Sequence, residues 1–212
     1  MGNLSVKQLV TAMVGNSFGP VMKELGFRRR ERIFWREGHD TCQIVEFVMN
    51  RWGSREGSGF DLRLGVLWPE VEKIVGKKRL ASPPVPTHLC TFGIDLHWTT
   101  GRRIVLARNL RTDTDYDRLG RLLLKDLLSS GIEWLNYRSE LSKTLDRDRY
   151  RVSEGDGLWS SRERSGSPST TIVFQTMLGK HKLAVAGLNR LATTGFRSQA
   201  VGIAKRLGIG LG

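Results

Sequence analysis

Acidic side chains are missing from the last part of this chain. Between Ser165 and Gly212 there is no Asp or Glu, while Lys180, Lys182, Arg190, Arg197, Lys205 and Arg206 all fall there. Cysteine is almost as scarce: Cys42 and Cys90 are the only two, too few for the disulfide framework that holds small secreted domains together. Residues 1–25 show helical periodicity instead of a basic segment followed by an apolar run, so a reduced, cytoplasmic setting is expected. No stretch approaches the roughly 20 apolar residues that a membrane-spanning helix needs, and no membrane role is expected.

The signatures of several common chemistries are absent too. There is no G-x-x-x-x-G-K-[ST] or G-x-G-x-x-G to cradle phosphates, and no G-x-S-x-G to carry a nucleophile. C-x-x-C and H-x-x-x-H spacings do not occur. A zinc site would have to gather Cys42, His88, Cys90 and His97. Strand alternation puts His88 and Cys90 on one face and His97 on the other. Neither a metal nor a cofactor is therefore expected.

What the chain has in excess is positive charge. Its 34 Lys and Arg against 21 Asp and Glu give +13 and a pI near 10.4, a balance that attracts polyanions such as nucleic acid or an acidic protein. With 39% hydrophobic residues and six tryptophans in 212, it can bury a sizeable core and is globular.

Ser5 followed by Gln8 reads as a capping box opening a helix. Apolar residues at spacings of three and four from Val6 to Leu25 make that helix amphipathic, and Pro20 after Gly19 predicts a kink. Gly26 then reads as a helix stop, with Phe27 folding back on Met22. Arg28, Arg29 and Arg30 follow immediately, where the negative end of the helix dipole favours cations. The bland reading of these arginines is the solvated outside of a turn; the functional one is a polyanion patch.

Strands are predicted at 33–36, 41–50 and 60–68, the first two joined by the Gly38–Asp40 turn and the last alternating cleanly from Phe60 to Trp68. Residues 82–87 are too rich in proline for a sheet. A further strand is predicted over "HLCTFGIDLHW", with Cys90, Phe92, Ile94, Leu96 and Trp98 inward, and another at 103–107. Hairpin-linked strands argue for an antiparallel sheet. A helix over 112–130 has Asp113, Asp115 and Asp117 at its positive end and Gly131 as its stop, and a further helix follows. Residues 151–169 lose periodicity and read as a linker or surface loop. From residue 170 helical patterning returns, broken at Gly179 and Gly195, with small residues such as Ala184, Ala200 and Ala204 that let two helices pack closely.

An amphipathic helix with a late proline, "GF" plus basic residues, "FWR", "QIVEF", "FDLRLGV", a cysteine-bearing strand after a proline-rich loop, and "GIEWL" occur in that order. This arrangement resembles the bacterial domain-of-unknown-function family DUF4304 over roughly residues 6–145. The resemblance implies an α+β fold and brings no activity, cofactor or catalytic residue with it.

The organisation expected is thus an α+β domain over 1–150, a flexible segment over 151–169 and a basic helical segment over 170–212. The domain is read as an N-terminal amphipathic helix, a mostly antiparallel sheet of about five strands, and packed helices. Non-enzymatic binding of nucleic acid or an acidic protein is the expected function. Arg28, Arg29 and Arg30 form one candidate patch, and Lys180, Lys182, Arg190 and Arg197 another. A solvated surface normally mixes charge signs, so the second patch exceeds the bland expectation. Two alternatives stand beside it. Glu46 and Asp61, on neighbouring strands, could serve a metal-dependent nuclease, although an arginine partner such as Arg63 or Arg36 explains Glu46 equally well. A protein-interaction role, such as neutralising an acidic toxin, is the other.

Overall fold

The computed structural model describes residues 5–49, 59–76, 82–100, 110–146 and 167–211. Helix α1 (Val6–Met13) opens with both halves of the capping box: Ser5 N–H donates to Gln8 Oε1 at 2.8 Å, and Gln8 N–H donates to Ser5 Oγ at 3.4 Å. The expected disturbance near Pro20 lies just before it. Val14–Phe18 form a π-helical turn, and α2 (Gly19–Glu24) starts with Pro20 in its first turn, where the missing N–H costs nothing. Gly26 ends the helix at φ +81, with Phe27 N–H reaching Met22 O at 2.8 Å.

Beyond Gly26 the arginines do more than line a turn. Arg28–Arg30 form strand β1, paired antiparallel with β2 (Ile33–Glu37) across a tight turn in which Glu31 takes φ +52. Strands β3 (Cys42–Met49), β4 (Phe60–Leu67) and β5 (Phe92–Asp95) complete a five-stranded antiparallel sheet in sequential order. The fold is α+β, as the hairpin spacing implied.

Alternation divides the sheet into two unlike faces. Phe34, Val45, Phe47, Phe60, Leu64, Val66 and Phe92 point toward the helices and share a core with Phe18 and Met22. The same core takes in Leu119, Leu123 and Trp134 from α5 (Tyr116–Asp126) and α6 (Ile132–Ser139). The opposite face carries a smaller cluster of Cys42, Ile44 and Leu67, covered by Val85 and Cys90.

Three expectations are corrected. The strand predicted from His88 through Trp98 is confined to Phe92–Asp95. Thr87–Leu89 form a 3-10 helix, which leaves Cys90 on the opposite face from Phe92 and Ile94. Beyond Asp95, where the register with Arg63 ends, Leu96–Thr99 turn into a short helix, α4. That turn keeps Leu96 buried while bringing the His97 and Trp98 rings within 4.3 Å of each other. Gly131 does not stop a helix: the backbone continues through a π-helical turn, Leu127–Gly131, into α6. A Cβ there would sit 2.8 Å from both Leu127 Cδ1 and Leu96 Cδ1, so a larger residue would have to displace these buried leucine ends. The helix before it begins at Tyr116, capped by Asp115, which leaves Asp113 outside. The strand expected at 103–107 lies outside the described residues, as does 147–166, which holds most of the expected linker.

Helix α3 (Pro69–Val75) packs against two C-terminal helices, α7 (Pro168–Met177) and α9 (Arg197–Leu207), and α8 (His181–Leu191) packs on both of these. Phe174 of α7 stacks on Phe92 at 5.6 Å and meets Trp68 edge-on at 5.3 Å. Ala184, Leu188, Ala200 and Ile203 are fully buried in the same core as the sheet.

Candidate functional site

The three arginines of β1 are all exposed but do not share one face of the strand. Arg29 turns toward the helices: its guanidinium lies 5.7 Å over the Phe34 ring and its Nε donates to Glu31 O at 2.7 Å. A Cβ at Gly15 would come within 3.0 Å of its Nη1, so it lies directly on the first π-helical turn. Arg28 and Arg30 project from the other face, and Arg28 is 3.9 Å from Glu37. The hairpin geometry that pairs β1 with β2 therefore separates Arg29 from its neighbours.

A fourth arginine of the same stretch organises a polar network that the sequence did not single out. Arg36 donates through Nη1 to Leu25 O at 2.9 Å, satisfying a carbonyl at the end of α2. Its Nε and Nη2 donate to Gln43 Oε1 at 3.2 and 2.7 Å, and Nη2 also reaches Asn136 Oδ1 at 2.9 Å. Gln43 Nε2 in turn donates to Asn136 Oδ1 and Ser139 Oγ. The guanidinium lies 4.8 Å over the Phe27 ring, and burial lowers its pKa. An open cleft of about 490 Å³ adjoins this network, lined also by Glu37, His39, Asp40 and Thr41. Its walls carry both charge signs, so it does not select for an anion.

Glu46 and Asp61 share the second sheet face without facing each other. Glu46 lies across from Arg63, and Asp61 across from Val48. The Glu46 carboxylate accepts from the Thr87 N–H at 2.7 Å and from the Thr87 hydroxyl at 2.6 Å, and so ties the proline-rich segment to the sheet. Arg63 bridges Asp61 at 3.3 Å and Asp95 at 3.2 Å. Burial raises the Asp95 pKa, and the Arg63 charge partly offsets this. Among the described residues, no group of three His, Cys, Asp or Glu side chains is placed to hold a metal ion.

The C-terminal helices carry the second patch, and here the cations stand in solvent. Lys180, Lys182, Arg190, Arg197 and Lys205 are all exposed, and none joins an ion pair among the described residues. Arg206 differs: its Nη1 donates to Ile74 O at 2.8 Å, at the end of α3. Lys180 occupies the position just before α8 without a side-chain capping bond, Lys182 lies in the first turn of that helix, and Arg197 begins α9. Those are the positive ends of helix dipoles, where a cation costs about 0.3–1 kcal/mol instead of stabilising. Neither helix has an acidic residue in its first turn to offset this.

The molecule is thus an α+β protein in which one sheet face is packed by helices and the basic surface is displayed by the outer helix pair. The family model described as Domain of unknown function (DUF4304) matches residues 18–137, and the chain belongs to that family. No curated protein and no solved structure matches it. No helix among the described residues is long and apolar enough to cross a membrane.

Proposed function

We propose that this protein is a non-enzymatic cytoplasmic binding protein that engages an acidic partner through the outer surface of α8 and α9. The observation that carries the reading is the placement of Lys180, Lys182 and Arg197 at helix N-termini, exposed and with no acidic side chain between Ser165 and Gly212. A sequence optimised only for helix stability would place carboxylates there. Positive charge concentrated where two helix dipoles add to it makes a surface suited to phosphates or carboxylates.

The test is fluorescence anisotropy with two labelled polyanions, a 20-base-pair DNA duplex and an oligo-glutamate, at about 50 and 200 mM salt. The parent protein is expected to bind at least one of them at the lower salt and to weaken steeply at the higher. Replacing Lys180, Lys182, Arg190 and Arg197 with glutamate is expected to abolish binding without lowering the melting temperature. Equal binding by parent and variant would remove this surface from the function.

A further inference from the structure

The helices that carry these cations are not uniformly polar outside. Leu183 and Phe196 are each 55% exposed and Val201 is 46% exposed, the most exposed large apolar residues among those described. Leu183 directly follows Lys182, and Phe196 directly precedes Arg197. On α9, Arg197, Val201 and Lys205 recur at intervals of four, which aligns them on one stripe. This stripe is distinct from the face that buries Ala200, Ile203 and Ala204.

We infer that the partner is an acidic protein presenting an amphipathic helix, with apolar anchors that meet Leu183, Phe196 and Val201 and carboxylates that meet Lys182, Arg197 and Lys205. This rests on the polyanion reading above and narrows it. Charge complementarity selects an acidic occupant, and the apolar residues decide which kind. Phosphate backbones are neutralised by Lys and Arg and gain little from leucine or valine. A bilayer surface favours a helix whose apolar side is continuous. Here the continuous apolar sides of α8 and α9 are already buried in the core, and the outer apolar residues alternate with cations. A helix with apolar anchors and an acidic rim uses both halves of that alternation.

The decisive measurement compares four labelled probes on the full chain: a designed amphipathic peptide of about 18 residues with leucine along one face and glutamate elsewhere, an oligo-glutamate of equal net charge, the DNA duplex, and phosphatidylglycerol vesicles. The amphipathic peptide is expected to bind about tenfold more tightly than the oligo-glutamate. The triple variant Leu183→Ser, Phe196→Ser, Val201→Ser should erase that preference and leave oligo-glutamate binding and the melting temperature unchanged. Equal affinity for the two peptides, or tighter binding to the duplex or vesicles, would overturn the protein-partner inference while leaving a polyanion surface in place. If neither peptide nor duplex binds even at about 50 mM salt, the proposed function falls with it.

Discussion

Burial acts on two ionisable groups of the second sheet face. It raises the Asp95 pKa, against the pull of Arg63, and pushes the Cys42 thiol up to about 12, helped by Glu37. For Asp95 the folded state binds its proton more tightly than the unfolded chain does. Its contribution to stability is therefore greatest below the unfolded carboxylate value, about 3.9, and is lost as pH rises through the raised folded value. Asp95→Asn should accordingly gain melting temperature relative to the parent between pH 4 and pH 7; a difference that shrinks over that range would contradict the sign. Cys42 should resist iodoacetamide at pH 8 until the protein unfolds, which mass spectrometry of native and denatured samples would show. Rapid labelling of the folded protein would be the contrary result. Arg138 is buried on the helix side of the sheet: at 1% exposure it donates to Lys143 O and Asp146 O and packs 5.2 Å over Phe92. Arg138→Met leaves both carbonyls without these donors and is expected to cost on the order of 3 kcal/mol in denaturant unfolding.

At the scale of elements, the chain is legible where a pattern has one physical reading and opaque where it has two. The capping box at Ser5, the glycine stop at Gly26 and the alternation of β4 each admit a single arrangement, and each forms. Gly131 admits two, because a glycine that ends a helix and one that lets a helix approach a sheet look the same in one sequence. The clash with Leu127 and Leu96 decides between them, so Gly131→Ala is expected to destabilise by about 1–3 kcal/mol; an unchanged unfolding midpoint would mean that the helix shifts freely. Leu96 is ambiguous for a similar reason, since it is buried at the end of a strand or in the first turn of a helix alike. The charge bias of α8 and α9 was visible because it depends on counting residues. The Arg36 network was not, because Arg36 and Asn136 are 100 positions apart and meet only once α6 lies against β2 and β3.

The whole molecule is larger than its family match. The matched part ends at residue 137, yet Phe174, Leu188 and Ile203 sit in the same core as the sheet. A chain ending at residue 146 should therefore bind a dye such as ANS and lose its cooperative thermal transition, whereas the full chain melts in one step. A sharp transition in the shortened chain would show that the sheet and its first helices stand alone. The stacking of Phe174 on Phe92 also has a consequence for synthesis. The ribosome makes β5 more than 70 residues before it makes the residue that covers it. During that interval Phe92 and Trp68 lack their aromatic lid, so the nascent sheet passes through a stage in which its own apolar side can recruit a chaperone or another unfinished chain.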